Sequence, residues 1–268
     1  MKFDFIQSHT EHQVRIMCDA LGVSESGYHA WKSRPPSKRD KENRVVLERL
    51  KQFHQASRQT YGIKRLRDDL RDDGFQINRK RIARLKRENN IYPKTYKKFV
   101  VTTDSNHEDP IAENILDRQF EQEDENAVWV SDITYLPLIK GWLYLAVIID
   151  LYSRRVIGWK LGDHKKTELE TDAFENSCTN RGGNAPALFH SDRGVQYTSG
   201  DMQLCLSNWH TKASMSRKGN CWDNAVAESF FGTLKTELLG NRKYRSQEEA
   251  QADIFNYIEV FYNRKRRH

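Results

Sequence analysis

The run LYLAVIID (143–150) constrains the fold of this chain more than any other feature. It is apolar without a break, rich in β-prone residues and too short to cross a bilayer, so it reads as a strand buried on both faces. Such a strand needs sheet neighbours beside it and helices above and below. The surrounding text supplies both. Residues 128–136 read as a strand, Gly141 opens a hairpin into the buried run, and 156–161 is a third strand after the Tyr-Ser-Arg-Arg turn. A helix over 166–179, the strand ALFHSD, a helix over 199–210, a short strand over 212–216 and helices over 225–239 and 247–262 follow. The order predicts an α/β fold, a mixed sheet flanked by helices.

The text before it has a different character. Residues 14–31 read as two short helices turned at Leu21-Gly22-Val23-Ser24. Pro35-Pro36 then breaks the chain, and Ser37 caps a helix to about 56. A third helix covers about 61–71, Asp73-Gly74 turns, and Asn78 caps a last helix over 79–89. In that helix Ile82 and Leu85 pack inward while Arg79, Lys80, Arg81, Arg84 and Arg87 project outward, a set suited to phosphate contact. Residues 31–98 hold 22 Lys and Arg against 8 Asp and Glu, whereas 99–180 hold 7 against 16. A basic block beside an acidic one suggests two modules, the first facing a polyanion, although a solvated helical surface yields the same count. We therefore expect a short N-terminal helical segment (1–36), a small all-α helix-turn-helix domain (37–93), a polar linker (94–126) with a short helix near 111–120, and the α/β core (127–268). No signal-like apolar segment opens the chain. Cys18, Cys178, Cys205 and Cys221 show no CxxC pairing, and His9, His12 and Cys18 lack a fourth ligand at finger spacing. A cytoplasmic, nucleoid-associated protein without a membrane partner is expected.

Three acids stand where acids pack poorly. Asp132 interrupts the β-prone run WVSDITYLP, Asp192 ends ALFHSD before Arg193-Gly194, and Glu228 lies one turn into NAVAESFFGTLKTEL. A buried acid is costly unless paired or bound to a cation, and converging acids repel unless a divalent cation joins them. Taken singly, Asp192 suits a turn and Glu228 a solvated helix position; Asp132 fits such a role worst. Asp150, at the end of its strand, is read as structural or supporting.

The spacing is specific: 59 residues separate Asp132 from Asp192, and 35 separate Asp192 from Glu228. This resembles the D,D(35)E signature of retroviral integrases and insertion-sequence transposases. WVSDITYLP, GWLYLAVIIDLYSRRVIGW, HSDRGVQYTS and SRKGNCWDNAVAESFFGTLKTEL resemble the core of the IS3-family transposase OrfB product. SGYHAWKSRPPSKR and YGIKRLRDDL resemble its helix-turn-helix region. The resemblance implies an RNase H-like fold, Asp132, Asp192 and Glu228 as catalytic metal ligands, and two Mg²⁺ or Mn²⁺ ions per site. It also implies Lys235 as a DNA-contacting residue, one helix face along from Glu228, with Gly232 between them leaving room for DNA. DNA ends and target DNA, an OrfA fusion partner and further copies on DNA are the implied partners. The loop 216–224 offers Arg217, Lys218 and Asn220 for DNA contact, and Trp222 for base stacking or for anchoring the loop. His190 reads as a packing residue, while Arg193, Gln196 and Tyr197 border Asp192 and are placed to shape the DNA path. The expected reaction is metal-dependent DNA cleavage and strand transfer. A non-catalytic DNA-binding regulator and an RNase H-like nuclease are the alternatives.

Overall fold

Alternation along the first core strand decides which helices cover which face of the sheet. In the computed structural model, which describes residues 2–95 and 111–267, β1 spans Val128–Pro137, β2 Trp142–Asp150 and β3 Val156–Gly162. β4 spans Leu188–Ser191 and β5 Lys212–Met215. The sheet order is β3-β2-β1-β4-β5. β1, β2 and β3 form an antiparallel meander, and β4 and β5 add in parallel beyond β1. This five-stranded mixed arrangement with helices on both faces is the RNase H-like fold. Seven of the nine residues from Trp142 to Asp150 are buried, as expected of a strand inside a sheet covered on both sides.

Val130 and Leu136 of β1 pack with Leu145 and Val147 against Phe230, Ile254 and Ile258. These helical residues belong to α10 (Ala225–Leu234) and α11 (Gln247–Phe255) with its continuation Asn256–Tyr262. Trp129, Ala146 and Ile148 face the other way, onto Ala173 and Phe174 of α7 (Thr167–Asn180) and Met202 and Leu206 of α9 (Gly200–Asn208). α8 is the single turn Val195–Thr198. The two helices expected over 225–239 and 247–262 are continuous, but their last turns, Lys235–Leu239 and Asn256–Tyr262, widen to π geometry. No helix of the described residues is long and apolar enough to cross a membrane.

The remaining helices are α1 (Lys2–Ser8), α2 (Val14–Leu21), α3 (Glu25–Ser33), α4 (Lys38–Ala56), α5 (Ile63–Asp72) and α6 (Arg79–Glu88). Their ends follow the capping signals. Gly22 closes α2 in the left-handed region at φ 61°, and Ser24 accepts from the Gly27 N–H to start α3. Ser37 and Asp40 cap α4 reciprocally, and Asn78 Oδ1 accepts from the Arg81 N–H at 2.8 Å. Two units emerge: Met1–Phe53 with Leu66–Ile91, and His54–Arg65 with Tyr92–His268.

Two expectations are corrected. α5 starts at Ile63 rather than near 61, because Arg58 and Gln59 turn through positive φ and Tyr61 is buried with its hydroxyl accepting from the Arg267 N–H. The helix expected near 111–120 does not form. Its backbone is occupied elsewhere, the N–H groups of Ile115 and Leu116 both reaching Ser214 Oγ. The linker stretch 96–110 lies outside the described residues.

Candidate active site

The site grows from an interruption in the sheet. β1 and β4 pair in parallel from Val128–Leu188 to Val130–His190 and then part. Two residues further along each chain stand Asp132 and Asp192, the latter just past the end of β4. Strand alternation turns Asp132 to the face covered by α10, where Glu228 occupies the first turn. Burial is the largest influence on Asp132, and with the charge of Asp192 and smaller ones from Glu170 and Glu228 it holds the carboxyl well above the ordinary range. The Ile133 N–H, donating to Oδ1 at 2.8 Å, opposes this in part. Structure therefore sets the three acids, which the sequence separates by 59 and 35 residues, within electrostatic reach of one another, Asp132 feeling both Asp192 and Glu228.

Asp192 also makes the turn that its Arg-Gly sequel suggests, accepting from the Gly194 N–H at 2.9 Å. Glu228 is fixed through its helix. Asn224, one turn before it, donates from Nδ2 to the Ser131 carbonyl at 3.0 Å, replacing the strand partner that β1 loses where β4 departs. Asn224 is buried, and its Oδ1 accepts no hydrogen bond among the described residues. Lys235, partly buried one face along from Glu228, is lowered by desolvation and pulled back up by the Asp132 charge. Gly232 between them is exposed, and a Cβ there would meet open space.

Several expected contacts are placed differently. Arg217 commits its guanidinium to Asp223, with Nε to Oδ2 at 2.8 Å and Nη2 to Oδ1 at 2.9 Å, and to Asp117 at 3.1 Å. It is a loop brace rather than an outstretched arm. Asp223 is buried, and the Arg217 hydrogen bonds hold it far below the carboxylate range. Asn220 caps the short turn Cys221–Asn224, accepting from the Trp222 N–H, while Lys218 and Trp222 are exposed. Gln196 and Tyr197 point inward, 2% and 1% exposed, so neither lines a DNA path. In α6, Arg79, Lys80 and Arg87 are exposed, but Arg81 folds back onto Asn43 Oδ1 at 2.8 Å and Arg84 is half-buried beside Glu88. Lys86, absent from the outward set, is buried with Leu85.

His190 is a packing residue, Nδ1 2.9 Å from Ser214 Oγ and Nε2 3.2 Å from Ser216 Oγ. Asp150 is structural: it accepts from Ser153 and pairs with Arg181 at 3.3 Å. Sequence reading passed over Glu170 of α7, which is fully buried and bonded to both Ser131 and Tyr197. Its text, TELETDAFEN, looks like any polar helix, and only the burial of the whole segment would have marked it.

The family model described as Integrase core domain matches residues 122–221, a second of that description matches 228–268, and the HTH-like domain model matches 40–99. With the sheet topology, these define the chain as an integrase-core protein that also carries an HTH-like domain. An insertion element IS600 protein of 31 kDa from Shigella sonnei is 41% identical over 94% of this chain and 93% of its own. The transposase InsF for insertion sequence IS3A of Escherichia coli K12 is 39% identical over 100% of this chain and 94% of its own. The chain belongs to the IS3-family transposases. Among solved structures, the HTLV-2 integrase catalytic core domain in complex with magnesium (dimeric form) is similar at a TM-score of 0.40. Identity there is 18%, over 51% of this chain and 89% of that one.

Proposed function

We propose that this transposase cuts and joins DNA at the ends of an insertion sequence, using divalent cations held by Asp132, Asp192 and Glu228. The observation that carries this reading is that Asp132, at the point where β1 and β4 part, feels the charges of Asp192 and Glu228 and acts on Lys235. The donor set is all oxygen, which suits Mg²⁺ or Mn²⁺, and a divalent cation relieves the repulsion that lifts Asp132. As the side chains stand, no three possible ligands among the described residues are gathered closely enough to enclose an ion, so binding would draw them inward. When bound, two such ions supply Lewis acidity at the attacking and leaving oxygens of a phosphodiester.

The chain's own residues do the rest. Lys235 is placed to hold a phosphate beside the acids, and the open surface at Gly232 admits a DNA backbone. Lys218 and Trp222 offer a cation and a stacking face on the adjoining loop. Arg79, Lys80 and Arg87 form the exposed phosphate-facing set of the HTH-like module. Transposon ends and target DNA are the substrates. An OrfA portion, further copies on DNA and a nucleoid setting complete the proposal.

Replacing Asp192 with Ala should abolish Mg²⁺-dependent cleavage and joining while salt-sensitive DNA binding persists. Undiminished joining by Asp192→Ala overturns the proposal. Cleavage by the wild type without joining of a 3′-OH end favours a hydrolytic nuclease, and binding without any chemistry favours a regulator.

A further inference from the structure

Behind the carboxylates, on the opposite face of the sheet, three hydroxyl and carboxyl groups close into a ring. Glu170 Oε2 lies 3.0 Å from Ser131 Oγ, Glu170 Oε1 accepts from the Tyr197 hydroxyl at 2.9 Å, and the two hydroxyls are 3.0 Å apart. Ser131 Oγ also donates to the Val147 carbonyl at 3.0 Å. All three residues are buried, with Glu170 and Ser131 at 0% exposure.

The ring joins three elements at a telling place. Ser131 immediately precedes Asp132 on β1, and Tyr197 lies on α8, five residues beyond Asp192. Glu170 comes from α7 and bonds Ser131 of β1 just past the last β1–β4 pair, Val130–His190. Among the described residues, the strand pairing of β1 with β4 has stopped at this level. The side-chain ring is a link between the backbone that carries Asp132 and the turn that follows Asp192.

Counting hydrogens tells which form of Glu170 the ring needs. Four contacts are present, and Ser131 and Tyr197 bring one hydrogen each. An ionised carboxylate only accepts, whereas a neutral one adds a third hydrogen. Ser131 Oγ lies within donating distance of both Glu170 Oε2 and the Val147 carbonyl, and Tyr197 donates to Glu170 Oε1; a neutral Glu170 would free the single Ser131 hydrogen for Val147 by returning one to Ser131 Oγ. Burial, opposed by the two hydroxyl bonds, pushes Glu170 up to about 8, and the Asp192 charge adds to the rise against the pull of Lys165. A neutral acid serves three of the four contacts where an ionised one serves two, and the Ser131–Tyr197 approach keeps no hydrogen of its own.

We propose that Glu170 is a positioning residue for the carboxylate site, bridging Ser131 and Tyr197 so that Asp132 and Asp192 are held at a spacing one divalent cation can join. The inference rests on the reading of Asp132, Asp192 and Glu228 as cation ligands. Neither Ser131 nor Tyr197 touches the cation; the ring acts through the backbone that carries the ligands, as outer partners do in metal sites generally.

The test is a titration of the full chain with Mg²⁺ and separately Mn²⁺, following the metal-induced rise of the thermal unfolding midpoint alongside joining of a 3′-OH DNA end. Glu170→Gln keeps a donor toward Ser131 and an acceptor toward Tyr197, so its half-saturating metal concentration should match the wild type. Glu170→Ala and Tyr197→Phe should each raise that concentration by about tenfold or more, the usual effect of losing an outer-shell partner. Unchanged half-saturation in Glu170→Ala overturns the inference. So does a Glu170→Gln variant as impaired as Glu170→Ala, which would make the charge itself the functional group. If Glu170→Ala does not fold, Tyr197→Phe and Ser131→Ala decide, and wild-type half-saturation in both is equally fatal. Asp132→Asn separates the two readings: it should abolish the metal-induced rise. A rise that survives in Asp132→Asn removes the ligand assignment itself, whereas its loss together with a normal Glu170→Ala removes only the role of Glu170.

Discussion

Wedged between Ser214 Oγ and Ser216 Oγ, the His190 imidazole has no route to water, and burial pushes it down to about 4. Its folded value lies below the ordinary 6.5 or so of an unfolded chain. The unfolded state therefore binds the proton first, and the stability His190 contributes is complete above pH 6.5 and lost as pH falls toward 4. The loss is on the order of 3 kcal/mol, from the size of the shift. Glu170, pushed up to about 8, runs in the opposite sense and gains stability over the same descent. The difference between wild type and His190→Asn isolates the histidine: urea midpoints measured from pH 7 to 4 should fall more steeply in the wild type, and parallel curves would contradict this. Such residues divide sharply in legibility. Asp132 stands out in sequence because it interrupts a β-prone run, and Asp192 and Glu228 through spacing and motif. Glu170 does not, since its ring partners lie 39 and 27 positions away and become partners only when α7, β1 and α8 pack. The acids beside Arg217 and Arg81 were hidden for a related reason, as a basic side chain in sequence carries no sign of the acid that folding sets beside it.

The C-terminal helix illustrates how an element can be anchored by its polar residues. Asn263 brackets the edge strand β3, accepting from the Val156 N–H at 3.0 Å and donating to its carbonyl at 2.8 Å. Arg266 pairs with Glu237 at 2.9 Å, both almost wholly buried, and Tyr257 donates to the same carboxylate. Glu237 lies in the widened last turn that carries Lys235, so this pair ties the end of α10 to the end of the chain's last helix. Removing the cation alone leaves a carboxylate buried without its partner, which costs about 3–5 kcal/mol. Arg266→Ala should lose stability of that order in urea unfolding, and a change below about 1 kcal/mol would show the pair to be dispensable. Helix existence was readable here from apolar periodicity, whereas the π turns were not, because widening depends on what the carbonyls meet after packing. Over 111–120 the expected short helix gives way because Ser214 and Asp223 supply tertiary partners for a backbone and side chains that would otherwise coil.

At the scale of the molecule, two units differ in what they offer: exposed arginines and a lysine on α6 in one, and acids within electrostatic reach of one another in the other. The layered core was legible because a strand buried on both faces leaves few alternatives, and the charge contrast between 31–98 and 99–180 pointed to separate modules. The parting of β1 and β4 was hidden, since no local pattern announces where two strands stop pairing. It has a consequence for selection on this protein. A sheet that continued past Val130–His190 with neutral residues would gain hydrogen bonds and lose a repulsion, so the fold is kept below its attainable stability by the residues that make it useful. Without added metal, Asp132→Asn should unfold at higher urea than the wild type, by roughly 0.5–2 kcal/mol, and saturating Mg²⁺ should narrow the gap. Equal midpoints without metal would contradict this. If Asp132 is the cation ligand proposed above, random mutagenesis screened only for solubility would then drift toward inert variants at this position.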